Sequence, residues 1–257
     1  MPGIALDLDY QVGCLKKMVG PYRDEYADNR AYAEGVAGGW GPGYGYIEAQ
    51  ALFGMVRALR PRQIIEVGAG VSTHVMMSAL ARNREEGRDG RFLSIEPYPT
   101  ACLRQEQAGL LIEPVQSVAP EVFEALEADD LLFIDSSHTI KPGSDVNYLI
   151  LEVLPRLRRG VVVHFHDITF PYDYGRRTLQ TFLHWSESSL LWAFLIFNER
   201  VKILFSLSML HYDRQADIKA VFPDYDPQPD RDGLVDELVR PFDAPSGHFP
   251  SSIYLRM

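Results

Sequence analysis

Four short runs place groups capable of chemistry directly after apolar, strand-like segments. Asp135 follows DLLFI, with His138 three residues on in DSSH; His166 and Asp167 follow GVVVHF; Glu66 stands in QIIEVGAG, ahead of Gly68, Gly70, Ser72 and Thr73; Glu96 closes RFLSIE. Asp135, His166 and Asp167 together offer hard oxygen donors and one imidazole, a set compatible with Mg²⁺, Mn²⁺ or Fe²⁺. Without a metal the same residues still offer a base, because His138 and His166 have the intrinsic pKa range for moving a proton near neutrality. The glycine pair does different work. A backbone without Cβ can turn sharply and approach a ligand, while the next helix directs free N–H groups at it. Position 73 is Thr where a nicotinamide-cofactor fingerprint wants Gly or Ala, and an acid two residues before the first glycine suits a ligand carrying an ammonium or sulfonium. Glu96, 28 residues after Gly68, has two carboxylate oxygens with which to hold ribose hydroxyls.

An alternation of apolar runs and helical stretches positions these groups. QIIEV precedes THVMMSALARNR, RFLSIE a short helix, LLIEPV the run APEVFEALEA, DLLFID the run DVNYLILEVLPRL, and GVVVHFHD the run TLQTFLHWSESSLLWAFLIF. Five such alternations predict right-handed crossovers and a doubly wound, Rossmann-like α/β sheet. Ligands then bind beyond the carboxyl ends of the strands, so Asp135, His166 and Asp167 converge on one rim. Residues 46–257 read as one domain, opened by a helix from Tyr46 to Pro61. Residues 1–45 read as an aromatic arm packed on the core or a lid over a ligand: six of the thirteen tyrosines lie by residue 46, with Trp40 in the glycine-rich loop GGWGPGYGY. The acidic, proline-rich stretch 211–251 reads as an irregular insertion before a last strand, SIYLRM. LLWAFLIF reads as core, being apolar all round. His164 and His74 read as structural, Lys141 and Asp145 as loop charges near a substrate, and Tyr172 and Tyr174 as pocket walls.

Composition removes several classes of function. The chain has 257 residues, 46% hydrophobic and 23% charged, with a formal net charge of −10. That charge argues against nucleic acid or an anionic membrane, whose phosphates demand a basic face. Leu190 to Phe197 is the longest apolar run, eight residues against the ~20 a bilayer requires. Two cysteines, Cys14 and Cys102, form no disulfide framework or zinc site, and no signal peptide opens the chain, so a cytoplasmic location is expected. The expected partners are a small-molecule substrate and, for the protein itself, a second copy in a homodimer.

The ordered set IIEVGAG, IEP, DLLFID and RRGVVVHFHD resembles the successive motifs of class I S-adenosylmethionine-dependent methyltransferases over roughly residues 46–206 and 252–257. The run FIDSSHTIKPGSDVNYLILEVLPRLRRGVVVHFHDI is similar to a bacterial branch acting mostly on small molecules, including sugars and secondary metabolites. The resemblance implies a seven-stranded sheet, mostly parallel, ending in an antiparallel hairpin of VKILFS and SIYLRM. It implies that Glu66, Gly68 and Gly70, with Ser72 and Thr73 nearby, hold the methionine part of the cofactor. Glu96 would hold the ribose and Gln116 and Ser117 contact the adenine, with Asp135 at the cofactor's edge. The catechol-type members resemble the Asp135, His166, Asp167 arrangement, with a carboxylate-carboxamide pair where this chain has His166-Asp167. The expected reaction is methylation of an oxygen, ahead of a nitrogen, of a small secondary metabolite or sugar. Two other readings stand beside it: a non-methylating use of the same cofactor, by cyclisation or aminopropyl transfer with release of methylthioadenosine, and a non-catalytic nucleoside-binding protein.

Overall fold

The computed structural model describes residues 1–41, 43–105, 109–174, 184–228 and 247–257. The amino-terminal segment carries α1 (Leu8–Met18), α2 (Arg23–Tyr26) and α3 (Arg30–Ala37). The α/β alternation then runs α4 (Tyr46–Leu59), β1 (Gln63–Val67), α5 (Val71–Glu85), β2 (Arg91–Ile95), α6 (Ala101–Gln105), β3 (Gly109–Leu111), α7 (Glu121–Glu124) and β4 (Leu131–Ile134). It continues with α8 (Asp145–Asn147), β5 (Val162–Phe165), α9 (Glu187–Leu195), β6 (Lys202–Ser206), α10 (Leu207–Asp213), α11 (Gln215–Val221) and β7 (Ile253–Arg256). The seven strands lie in the order β3-β2-β1-β4-β5-β7-β6, the pairs among β1 to β5 parallel and β7 antiparallel to both its neighbours. This is the expected doubly wound sheet with its antiparallel end.

Side-chain alternation splits the core between the two faces. Ile64, Leu131, Phe133 and Val162 pack with α1, α4 and α5, while Ile65, Leu132, Ile134, Val163 and Phe165 pack with the segment after α8 and with α9. All four residues of β4 are buried, each burial contributing about 1.5–3 kcal/mol, so the strand that carries Asp135 is firmly held. The register builds the site. Val67 pairs with Ile95 and Ile134, and Ile134 with Phe165, so the next residues, Gly68, Glu96, Asp135 and His166, stand in one row along the carboxyl edge. The order reverses between β1 and β4, and the row straddles that point.

Three local expectations are corrected. LLWAFLIF is not core throughout: α9 ends at Leu195, Ile196 and Phe197 are 38% and 85% exposed, and of that run the peripheral helix fully buries Leu191 and Leu195 alone. The stretch 211–251 is not irregular throughout. α10 and α11 cross its start, and Ile218, Val221, Phe222 and Tyr225 join the main core, an i, i+3, i+4 apolar pattern that outweighs the surrounding acids and prolines. Residues 229–246 of that stretch lie outside the described residues, as do 178–183 of the TLQTFLHW run. APEVFEALEA gives only the four-residue α7, and the helix of DVNYLILEVLPRL opens as α8, widens into a π turn at Tyr148–Val153 and closes as a 3₁₀ turn at Leu154–Arg156.

Candidate active site

Gly68 stands at φ +81°, and a Cβ there would overlap the carbonyl oxygen of Asp135, whose carbonyl carbon would lie at 2.9 Å. The β1 turn and the β4 tip are therefore in direct backbone contact, which only glycine permits. Beneath the turn, Glu66 is fully buried and accepts from Ser72 Oγ at 2.9 Å, Thr73 Oγ1 at 2.7 Å and Ser94 Oγ at 3.1 Å. Burial pushes its carboxyl up to about 8, opposed by those three donors. Glu66, Ser72 and Thr73 thus brace the turn from below. Thr73 Oγ1 also accepts from Gly70 N at 3.2 Å. Glu96 is half-buried at the next tip, and its two oxygens accept from Ala69 N at 3.2 Å and Tyr98 N at 2.7 Å. Gln116 and Ser117 lie exposed on the turn after β3, where Gln116 Nε2 donates to Gly143 O at 3.1 Å.

Asp135, His138, His166 and Asp167 form one cluster at the tips of β4 and β5. His138 Nε2 faces Asp135 Oδ1 at 3.3 Å and Asp167 Oδ2 at 3.6 Å. His166 Nδ1 faces Asp135 Oδ2 at 3.3 Å and the same Asp167 oxygen at 3.6 Å. Both imidazoles are buried, at 5% and 3% exposure. Burial alone would lower His138, yet hydrogen bonds its ring donates to Asp135 and Glu187 raise it to about 10; His166 is likewise raised by Asp167 and Asp135 against its burial. Asp135 responds in the opposite sense, since His166 and His138 hold its carboxyl far below the usual range although burial would raise it. His138 and Asp167 are two of the six non-glycine residues with positive φ among the described residues, at +56° and +55°. Left-handed backbone costs about 1–2 kcal/mol per residue, so the fold holds this cluster against local preference.

The sequence did not single out the groups that hold the imidazoles from outside. Glu187, at the start of α9, meets His138 Nδ1 at 2.8 Å, and Glu48, on α4, meets His166 Nε2 at 3.4 Å. Both carboxyls are buried, and both lie on apolar stripes, Glu48 with Leu52 and Met55 and Glu187 with Leu191, an anomaly of pattern that was the available signal. Ser251 ties the two sides together: its N–H and hydroxyl donate to Glu48 Oε1 at 2.8 and 3.2 Å, while Ser251 Oγ lies 3.1 Å from Asp167 Oδ1. Trp185 packs on His138 with ring centres 4.7 Å apart and Tyr174 on Trp185 at 5.4 Å, walling that side, whereas Tyr172 packs on Tyr212. Asp145 accepts from Ser137 N and Oγ at 2.8 and 2.6 Å and so shapes the loop carrying His138; Lys141 is exposed. In the glycine-rich loop Trp40 and Tyr44 are buried, Trp40 against His74 and Tyr44 tilted over His166 with ring centres 4.7 Å apart and its hydroxyl at His164 Nε2. His164 is fully buried among Phe133, Tyr44 and Tyr254, and burial holds it neutral.

The donor atoms of Asp135, His166 and Asp167 all lie within 4.8 Å of one another. His166 Nδ1 is buried without a hydrogen-bond partner, aimed at the two carboxylates. Four carboxyl groups, Asp135, Asp167, Glu48 and Glu187, surround two imidazoles, so oxygen donors dominate the cluster. The residues present fit a divalent cation.

Residues 65–168 match the sequence family described as "Methyltransferase domain". A protein of Archaeoglobus fulgidus is 34% identical over 87 residues, 32% of this chain and 38% of its own length, so the chain spans about two fifths of that curated relative. Among solved structures, the S-adenosylhomocysteine-bound methyltransferase PaMTH1 of Podospora anserina is 15% identical over 76% of this chain and 82% of that one, with a TM-score of 0.43. A structure described as cmcI-N160 with S-adenosylhomocysteine is 15% identical over 50% of this chain and 63% of that one, with a TM-score of 0.33. The matched segment runs from β1 to the tip of β5 and holds the glycine turn, Glu96, Asp135, His138, His166 and Asp167, while Glu48, Glu187 and Ser251 lie outside it. By that match, residues 65–168 are similar to a methyltransferase domain, and they lie within a seven-stranded sheet of order β3-β2-β1-β4-β5-β7-β6.

Proposed function

We propose that this chain transfers the methyl group of S-adenosylmethionine to a hydroxyl oxygen of a small acceptor, such as a sugar or secondary metabolite, in the cytoplasm. One observation carries the reading: the glycine turn and the Asp135, His138, His166, Asp167 cluster share one row of the sheet edge, with Gly68 packed against the backbone of Asp135. A cofactor on that turn and an acceptor at that cluster are neighbours, which an in-line displacement requires.

Gly68 to Gly70 would receive the methionine part along the backbone, and Glu96 the ribose, by lone pairs its oxygens retain beside Ala69 N–H and Tyr98 N–H. Gln116 and Ser117 stand where adenine would reach. Asp135, His166 and Asp167 would hold the divalent cation, which when bound offsets the charge of both aspartates and polarises an acceptor oxygen. In its neutral form His138 would keep its Nδ1–H on Glu187 and present an unprotonated Nε2 toward the acceptor in place of Asp135. It then takes the hydroxyl proton as the oxygen attacks the methyl carbon and the carbon–sulfur bond breaks. Trp185 and Tyr174 would flank the acceptor.

Incubation with S-adenosylmethionine and a panel of hydroxylated acceptors tests this, with methylated product and S-adenosylhomocysteine expected together. Release of methylthioadenosine in their place would mean cyclisation or aminopropyl transfer. Tight cofactor binding with no turnover over a broad panel would mean a nucleoside-binding protein.

A further inference from the structure

We infer that Glu48 is a positioning residue that fixes both His166 and Asp167 as metal ligands, and that the resulting mixed nitrogen and oxygen set selects a first-row transition ion, Mn²⁺ or Fe²⁺, over Mg²⁺. This deepens the proposed function and rests on it for the use of the ion, though not for its binding.

Glu48 reaches the β5 tip from the other side of the chain's architecture. It sits in the first turn of α4, before the segment that matches the methyltransferase family, and its carboxylate folds back over the start of the helix. A Cβ on Gly45 would overlap Glu48 Oε2 and lie 3.2 Å from Oε1, so the glycine that precedes the helix leaves room for that placement. Oε1 faces His166 Nε2 at 3.4 Å and accepts from Ser251 N at 2.8 Å. Ser251 Oγ bridges the same oxygen, at 3.2 Å, to Asp167 Oδ1 at 3.1 Å. One buried carboxylate therefore sets the orientation of both residues of the His166-Asp167 pair.

The consequence for His166 is which nitrogen faces inward. With Nε2 held by Glu48, Nδ1 points at Asp135 Oδ2 and Asp167 Oδ2, buried and without a hydrogen-bond partner. A histidine that ligates a metal characteristically gives its other ring N–H to a carboxylate, and here that outer partner is in place. An imidazole donor decides the ion. Mg²⁺ favours oxygen ligands in near-ideal octahedra and keeps several waters, whereas imidazole suits the first-row transition metals, whose affinities rise from Mn²⁺ through Fe²⁺ to Co²⁺.

The test uses the full chain stripped with a chelator and titrated calorimetrically with Mg²⁺, Mn²⁺ and Co²⁺, the last standing for Fe²⁺ in air. The expected result is one ion per chain, with Mn²⁺ bound about tenfold or more tighter than Mg²⁺ and Co²⁺ tighter still. Pulsed EPR of the Mn²⁺-loaded chain should show nitrogen coupling from one imidazole. Glu48→Gln should weaken Mn²⁺ by about 10- to 100-fold while binding S-adenosylhomocysteine as the parent does. Mg²⁺ bound as tightly as Mn²⁺, an EPR signal without nitrogen coupling, or Glu48→Gln within twofold of the parent would each overturn the inference. Should Glu48→Gln not fold, the ion order and the nitrogen coupling of the unaltered chain still decide. Cofactor binding measured on the same protein keeps the two readings apart: retained S-adenosylhomocysteine affinity with no ion bound overturns this inference alone, and lost cofactor affinity overturns the proposed function.

Discussion

Gly68 and Gly70, two residues apart in one turn, should respond oppositely to alanine. At Gly68 the new Cβ enters left-handed backbone, costing about 1–2 kcal/mol. It also overlaps the Asp135 carbonyl, and relief of a comparable overpacking costs about 1–3 kcal/mol. Together these give roughly 2–5 kcal/mol, which at about 2–4 °C per kcal/mol lowers the melting temperature by something on the order of 4–20 °C. Because the displaced partner is the β4 tip itself, Asp135 moves with it and turnover falls at least about 100-fold, the scale expected of an ångström's misplacement. At Gly70 the backbone is extended, at φ −175°, and a Cβ would meet Trp40 O at 3.7 Å, an ordinary contact. Gly70→Ala should therefore melt within about 1–2 °C of the parent, since nothing in the folded chain must shift. If the cofactor approaches the backbone there, the variant's loss appears in binding alone: about 1–3 kcal/mol, or about 5- to 150-fold in Kd. Differential scanning calorimetry and titration with S-adenosylhomocysteine read both quantities. A Gly68→Ala chain that melts and binds like the parent would refute the packing argument, and a Gly70→Ala chain that melts as low as Gly68→Ala would show that the two glycines were wrongly told apart.

The same geometry carries other outcomes. His138→Gln should cost about 100- to 10,000-fold in initial rate while leaving cofactor affinity unchanged; an undiminished rate would remove His138 from the chemistry. Glu66 is a buried acid raised from 4.5 to about 8, so the folded state holds its proton more tightly than the unfolded one. Its contribution is fully present below pH 4.5 and is lost as pH rises to about 8, amounting to a few kcal/mol. Glu66→Gln should flatten denaturant stability over that window, and an unchanged slope would mean the carboxyl is ionised beneath the turn. His211, buried and lowered to about 4, acts with the opposite sign: stability is present above pH 6.5 and lost as pH falls through about 4. Replacing His211 with Gln should reduce acid destabilisation between those values, as followed by circular dichroism.

Local order along the chain was enough to set the sheet and the residues that reach its active edge. Alternating apolar runs fix where strands lie, and a parallel, doubly wound sheet brings the residues just beyond each strand to one rim, so Gly68, Glu96, Asp135, His166 and Asp167 were legible without any long-range information. The same local pattern favoured core placement for His164, which lies among Phe133 and Tyr254. The role of each group at that rim came from packing between distant segments. The three hydroxyls of Ser72, Thr73 and Ser94 that enclose Glu66 were not legible, because a side chain's face on a strand says nothing of the groups that pack over it. Glu48, Glu187 and Ser251 come from three distant parts of the chain, and their meeting at His166, His138 and Asp167 depends on how α4, α9 and the approach to β7 pack, a long-range arrangement that no local periodicity encodes. The fate of LLWAFLIF has the same cause: apolar composition states what can be buried, and the position of α9 at the edge of the core decides that Phe197 is not.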